Sequence, residues 1–141
     1  MCIDQAIAGN PTFAPSYQRG RLMPLARGAA SKIILATVSD RTKKSLQARN
    51  GKAFAAAGLG KSWAEFRASL AAIRDAGYSI THGEIDEGLI GISAPILVAE
   101  STPLGSVSYV ISNKKASQAS IEKMARMLKS AAAQITSTLL A

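Results

Sequence analysis

The sequence is poor in the residues that most often carry chemistry: 141 residues include one cysteine, one histidine and 5% aromatics. A single Cys2 excludes an internal disulfide and any multi-cysteine zinc or iron–sulfur site, and a lone His82 leaves little with which to hold a metal. No metal and no cofactor are therefore expected. Long apolar runs are missing as well. Nothing approaches the roughly eighteen consecutive apolar residues of a membrane span, and "MCIDQAIAGN" has neither the basic start nor the apolar stretch of a signal peptide. A cytoplasmic location without membrane contact is the expectation. Acidic residues are scarce too, 9 against 17 Lys plus Arg, for a net charge of +8. Such an excess is the broad footprint of contact with an anion. The cations, however, are spread through "RTKK", "RNGK", "NKK" and the last helix, with no aromatics between them to stack on bases. Solvated faces account for them, and a basic module binding an anion or nucleic acid stands as the alternative.

What is present suffices for one core. With 48% apolar residues the chain reads as a single domain over residues 1–141. Residues 2–7 alternate like a short strand, and a loop rich in Gly, Pro and Asn, "AGNPTFAPSYQRGRLMP", follows. A helix is predicted over 29–37, and a second, polar one begins after Ser39 as N-cap. "GKAFAAAGLGK" reads as a flexible connection. Ser62 and Glu65 form a capping box for a third helix. Trp63, Phe66, Leu70 and Ile73 lie on one of its faces, and Gly77 stops it. Then come a strand at "YSITH", a turn at "GEIDEG", a strand at "LIGISAPILVA", a turn at "ESTPLG" and a strand at "SVSYVIS", the last two strands forming an antiparallel hairpin. A final helix over 117–140 aligns Ile121, Met124, Leu128, Ala131, Ile135 and Leu139, a stripe fit to cover a sheet or a partner. The architecture is α+β, an antiparallel sheet packed by helices.

Candidate chemistry is sparse. His82 and Glu84 could be drawn as a base and its partner in a small enzyme, but a histidine at a strand end is more often a hydrogen-bonding surface residue. Glu84, Asp86 and Glu87 form an acidic turn of the kind that caps a neighbouring helix. The start of the first helix offers more. In "MPLARGAASKIILA" a helix opens on Gly28, Ala29 and Ala30, whose side chains hardly obstruct the first-turn N–H groups, a place attractive to a carboxylate or phosphate. The same small residues suit close packing under a sheet. From the residues alone both readings stay open.

Two stretches together resemble the effector-binding domain of IclR-type bacterial transcription regulators. "GRLMPLARGAASKIILA" is similar through Pro24, Leu25, Lys32, Leu35 and Ala36, and "GYSITHGEIDEGLIGISAPILV" through Gly77, Glu84, Ile92, Ser93 and Ile96. The hairpin strand and closing helix follow in the same order. Departures fall at Ala26, Ser31, Thr81, Gly91, Leu97 and Val98. The resemblance implies a GAF-like antiparallel sheet flanked by helices on both faces, holding a small organic effector, in some members a carboxylate, under the first helix. It implies contacts at Gly28, Ala29 and Ala30, at Thr81 and Gly91, and at Ser112, with Leu89 as an apolar wall. Thr81 and Gly91 imply fewer polar contacts and more room, hence an effector larger or less polar than a two- or three-carbon acid. The resemblance further implies self-association to dimers or tetramers. DNA would be contacted only through a winged helix-turn-helix domain that this chain lacks, together with the family's preceding helix and first strand. No recognition helix is found here.

Overall fold

The computed structural model describes residues 1–9 and 13–141; residues 10–12 of the predicted first loop lie outside it. Among the described residues, four α-helices and a three-stranded sheet form in chain order: α1 (Ala29–Thr37), α2 (Asp40–Ala56), α3 (Trp63–Ala76), β1 (Ser79–His82), β2 (Leu89–Ala99), β3 (Thr102–Ser112) and α4 (Gln118–Leu140).

Local chemistry explains most of these boundaries. The Ser39 side chain accepts the Thr42 N–H at the start of α2. Ser62 and Glu65 exchange both capping-box hydrogen bonds at the start of α3. Gly77 ends α3 in the left-handed conformation, φ 75°, which a side chain would disfavour. Ser117 and Ser120 cap α4 reciprocally.

Strand order is β1-β2-β3, antiparallel throughout. Thr81 lies opposite Gly91, and Leu89 lies opposite Ser112. Pro95 has no N–H to give a ladder, and it sits where β2 has left β1 behind and pairs with β3 alone. One face of β2, through Ile90, Ile92 and Ala94, packs on Ile121, Ala125, Leu128 and Ala132 of α4. The other face is small and polar, with Ser79, Thr81, Gly91 and Ser93, and α1 lies across it. Ser79 Oγ donates to the Ala29 carbonyl at 2.6 Å. Behind α1, Leu35 and Ala36 join Phe54, Leu59, Phe66 and Leu70 in a second core among the helices, with the Phe54 and Phe66 rings stacked at 4.8 Å. Helices therefore flank both faces of the sheet.

Three expectations need correction. Residues 2–7 form no strand: a single bridge joins Cys2 to Arg19, outside the sheet, and Ile3 and Ile7 are exposed. "GKAFAAAGLGK" is not a loose connection in its first half, because α2 continues to Ala56 past an irregular Asn50 and buries Phe54 completely. The hairpin turn is shorter than "ESTPLG", since β3 begins at Thr102 and the pairing absorbs irregularities near Leu97.

Candidate functional site

The site is built where α1 starts above the sheet. Gly28 is the N-cap with φ 87°, and a side chain there would meet the Tyr17 hydroxyl at 2.8 Å and Ile85 at 3.0 Å. Only glycine admits both the backbone conformation and the contact. Below it, Ala29 is buried against the sheet. A Cβ at position 91 would lie 3.2 Å from Thr81 Oγ1 and 3.4 Å from Ala29 Cβ. The extra room expected from Gly91 is thus absent, because Ala29 and Thr81 already fill it.

Thr81, Leu89, Gly91 and Ser112 share one sheet face, as the register requires of directly opposed and alternate positions. It is the face under Gly28, Ala29 and Ala30. All seven residues implied by the resemblance are therefore brought to one side of the sheet. Thr81 is buried, whereas Leu89, Ala30 and Ser112 are half-buried.

The helix end already holds one anion, and it belongs to the chain. Glu84 Oε2 accepts the Gly28 N–H at 2.9 Å, and Glu84 Oε1 accepts from Lys32 Nζ. Lys32 also donates to the Ala57 carbonyl at 3.1 Å, and Arg27 donates to the Glu84 carbonyl. Two residues on, Asp86 accepts the N–H and hydroxyl of Ser16. The acidic turn is a clasp that ties α1 and the preceding loop to the sheet. The first-turn N–H groups of Ala29, Ala30 and Ser31, which a helix cannot satisfy internally, are not taken up by the Glu84 carboxylate, whose Oε2 accepts from Gly28. Burial, with the Asp86 and then the Glu84 carboxylate, raises the Tyr17 phenol above its ordinary range.

Two open clefts flank this clasp. One, of about 350 Å³, is lined by Ser16, Arg21, Met23, Pro24, Arg27, Glu84 and Ile85 among others. The second, of about 640 Å³, runs from Pro24 and Arg27 to Asn50 and Phe54 on α2 and to Ala57 just past its end. Thr81, Leu89, Gly91 and Ser112 line neither. His82 is exposed, and among the described residues it makes no hydrogen bond to Glu84, whose two oxygens are engaged elsewhere. No group of His, Cys, Asp and Glu suited to a metal occurs among the described residues, and none of their helices is long and apolar enough to cross a membrane.

Sequence reasoning missed Tyr17, Ile85 and Arg21 around the helix start. Lys32 and Glu84 stood out within their own motifs, but their pairing across more than fifty residues had no local signal.

Known proteins match this arrangement. A family model, the bacterial transcriptional regulator IclR C-terminal domain, matches residues 3–137. Among curated proteins none matches the sequence. The C-terminal domain of a transcriptional regulator from Vibrio cholerae is similar at 25% identity and TM-score 0.70, over 86% of this chain and 69% of that one. An IclR transcriptional regulator from Alicyclobacillus acidocaldarius is similar at 18% identity and TM-score 0.73, over 92% of this chain. The present chain spans about half of that protein, 51%. The inducer-binding domain of the transcription factor PobR from Acinetobacter, a double mutant in complex with 3-hydroxybenzoic acid, is similar at 16% identity and TM-score 0.71, over 91% of this chain and 74% of that one. Sheet, helix order and the two motifs converge with the family match over almost the whole length: the chain belongs to the IclR C-terminal domain family of bacterial transcriptional regulators.

Proposed function

We propose that this domain binds a small organic acid between the sheet and the start of α1, and that binding biases the arrangement of subunits. In a regulator carrying a winged helix-turn-helix domain, that bias sets DNA affinity in the cytoplasm. The coupling is as large as the acid's preference for one arrangement over the other. The observation that carries the reading is the gathering of Thr81, Leu89, Gly91 and Ser112 on the sheet face beneath Gly28, Ala29 and Ala30. First-turn N–H groups supply the anion contact. Entry is from the cleft beside them, where Arg21 and Arg27 favour an anion and Met23, Pro24 and Ile85 favour an apolar body. Ala29 and Thr81 fill the space over Gly91, so the body of the acid extends into this cleft of about 350 Å³, more than a two- or three-carbon acid fills. An aromatic acid in the PobR domain, a protein of the same fold, supports that class.

Self-association is part of the same proposal. Ile121 to Ala132 of α4 cover the sheet, but Ile135 and Leu139 continue the same stripe beyond it and remain exposed, offering an apolar face to a second copy. Light scattering that finds only monomers at high concentration would reject it.

Calorimetry with glyoxylate, pyruvate and hydroxybenzoates tests the binding. Expected is binding of a hydroxybenzoate, weakened at least about tenfold by Ala30→Pro, which removes a first-turn N–H without costing an intrahelical bond. Binding confined to the two- and three-carbon acids, or affinity indifferent to Ala30→Pro and Ser112→Ala, would reject it.

A further inference from the structure

The net charge of +8 is not spread evenly once the chain folds. On α2, at about 100° per residue, Lys43, Leu46, Asn50 and Phe54 share the inward side. In the regular turns before the irregular Asn50, Arg41 lies diametrically opposite this side, with Lys44 and Arg49 flanking it and Ser45 and Ala48 between them; Lys52 follows the irregularity. All four cations are exposed. They span roughly 16 Å of helix axis. The helix has one acidic residue, Asp40, and it is held at the N-terminus by Lys43 and Arg67. Among the described residues none of the four is ion-paired. Arg49 donates to Ser45 Oγ at 2.8 Å, which holds its guanidinium along the helix.

We infer that the outer face of α2 is a contact surface for the phosphate backbone of duplex nucleic acid, independent of base sequence. Four exposed cations without an ion pair along one helix are the composition that phosphate contact requires. Large apolar residues that would seat an amphipathic helix in a lipid surface are absent from this side, since Leu46 and Phe54 of α2 pack in the helical core. Aromatic residues for stacking single-stranded bases are absent as well. Membership of a transcriptional-regulator family places the domain where a duplex is at hand. The surface gives affinity and orientation but no sequence choice.

The test uses the full chain and a fluorescein-labelled 20-base-pair duplex of arbitrary sequence, read by anisotropy from low to moderate salt. Binding is expected with a slope of about −3 in log K against log salt, the value for three to four neutralised phosphates. The variant R41Q/K44Q/R49Q/K52Q should bind at least about tenfold more weakly with a flatter slope. The charge-matched variant K114Q/K115Q/K123Q/R126Q should lose no more than about twofold. Equal losses in the two variants would reduce the effect to net charge and overturn the inference, as would equally tight, α2-dependent binding to phosphatidylserine vesicles. Acetylation footprinting of the unaltered chain serves as a second readout that needs no variant to fold. The duplex should protect Lys44 and Lys52 and leave Lys114 and Lys115 reactive; the reverse pattern contradicts the assignment.

Discussion

Removing the Glu84 carboxylate should loosen the start of α1 more than any other single polar change in the domain. Its two oxygens take the Gly28 N–H and the Lys32 ammonium, with the Lys32 and Glu84 side chains only 10% and 25% exposed. A hydrogen bond to a charged group contributes about 1.5–3 kcal/mol, and stranding a buried partner adds to the loss. Partial exposure of Glu84 screens the pair, so Glu84→Ala is expected to cost about 3 kcal/mol and Glu84→Gln, which still accepts from Gly28, about 1–2 kcal/mol. For a domain of this size the alanine variant should melt about 10 °C lower. Urea unfolding of Glu84→Ala, Lys32→Met and the double variant forms the assay. The double variant should be more stable than the sum of the single losses predicts, by about 1 kcal/mol or more. Additivity within about 0.3 kcal/mol, or a cost of Glu84→Ala below about 0.5 kcal/mol, would refute the clasp.

Two further predictions test the frame around the site. Phe54→Ala removes a fully buried ring stacked on Phe66 and should cost about 3–5 kcal/mol in urea unfolding, a loss that a residue in a loose connection would not produce. Glu65 accepts from the Ser62 and Lys61 N–H groups, which hold its carboxyl below the ordinary 4.5. Its folded value being lower than its unfolded one, it contributes stability above about pH 4.5 that is lost as the pH falls through the folded value. Urea midpoints measured from pH 6 down to about 3 should fall less steeply for Glu65→Gln than for the unaltered chain.

Where the sequence was legible, the governing contacts are local. Ser62 and Glu65 cap α3 across three residues, Gly77 ends it, and Ser117 caps α4, so these boundaries follow from short-range hydrogen bonds. Strand β1 was legible because it begins just after the helix stop at Gly77, and β2 because it follows the turn that holds Gly83 and Gly88. The misreadings share the opposite cause. Residues 51–56 are small and carry a glycine, and only the packing of Phe54 on Phe66, brought by a different helix, makes them helical. The alternation at residues 2–7 is answered only by the single bridge from Cys2 to Arg19, and its apolar side chains Ile3 and Ile7 meet no core. At the site, each side of the clasp could be picked out by its motif, but the contact between Gly28, Lys32 and Glu84 is tertiary. The closure of the space above Gly91 by Ala29 depends on the depth at which α1 lies on the sheet, a distance no residue pattern encodes.

The central claim is that an organic acid binds where the first turn of α1 meets the Thr81 and Ser112 face of the sheet. Nuclear magnetic resonance of the labelled chain titrated with 3-hydroxybenzoate tests it most directly. The amides of Ala29, Ala30, Thr81 and Ser112 should shift together along one saturating curve, while those of the exposed end of α4 stay in place. Shifts confined to α2 or α4, or none at these four amides at saturating acid, would contradict the account.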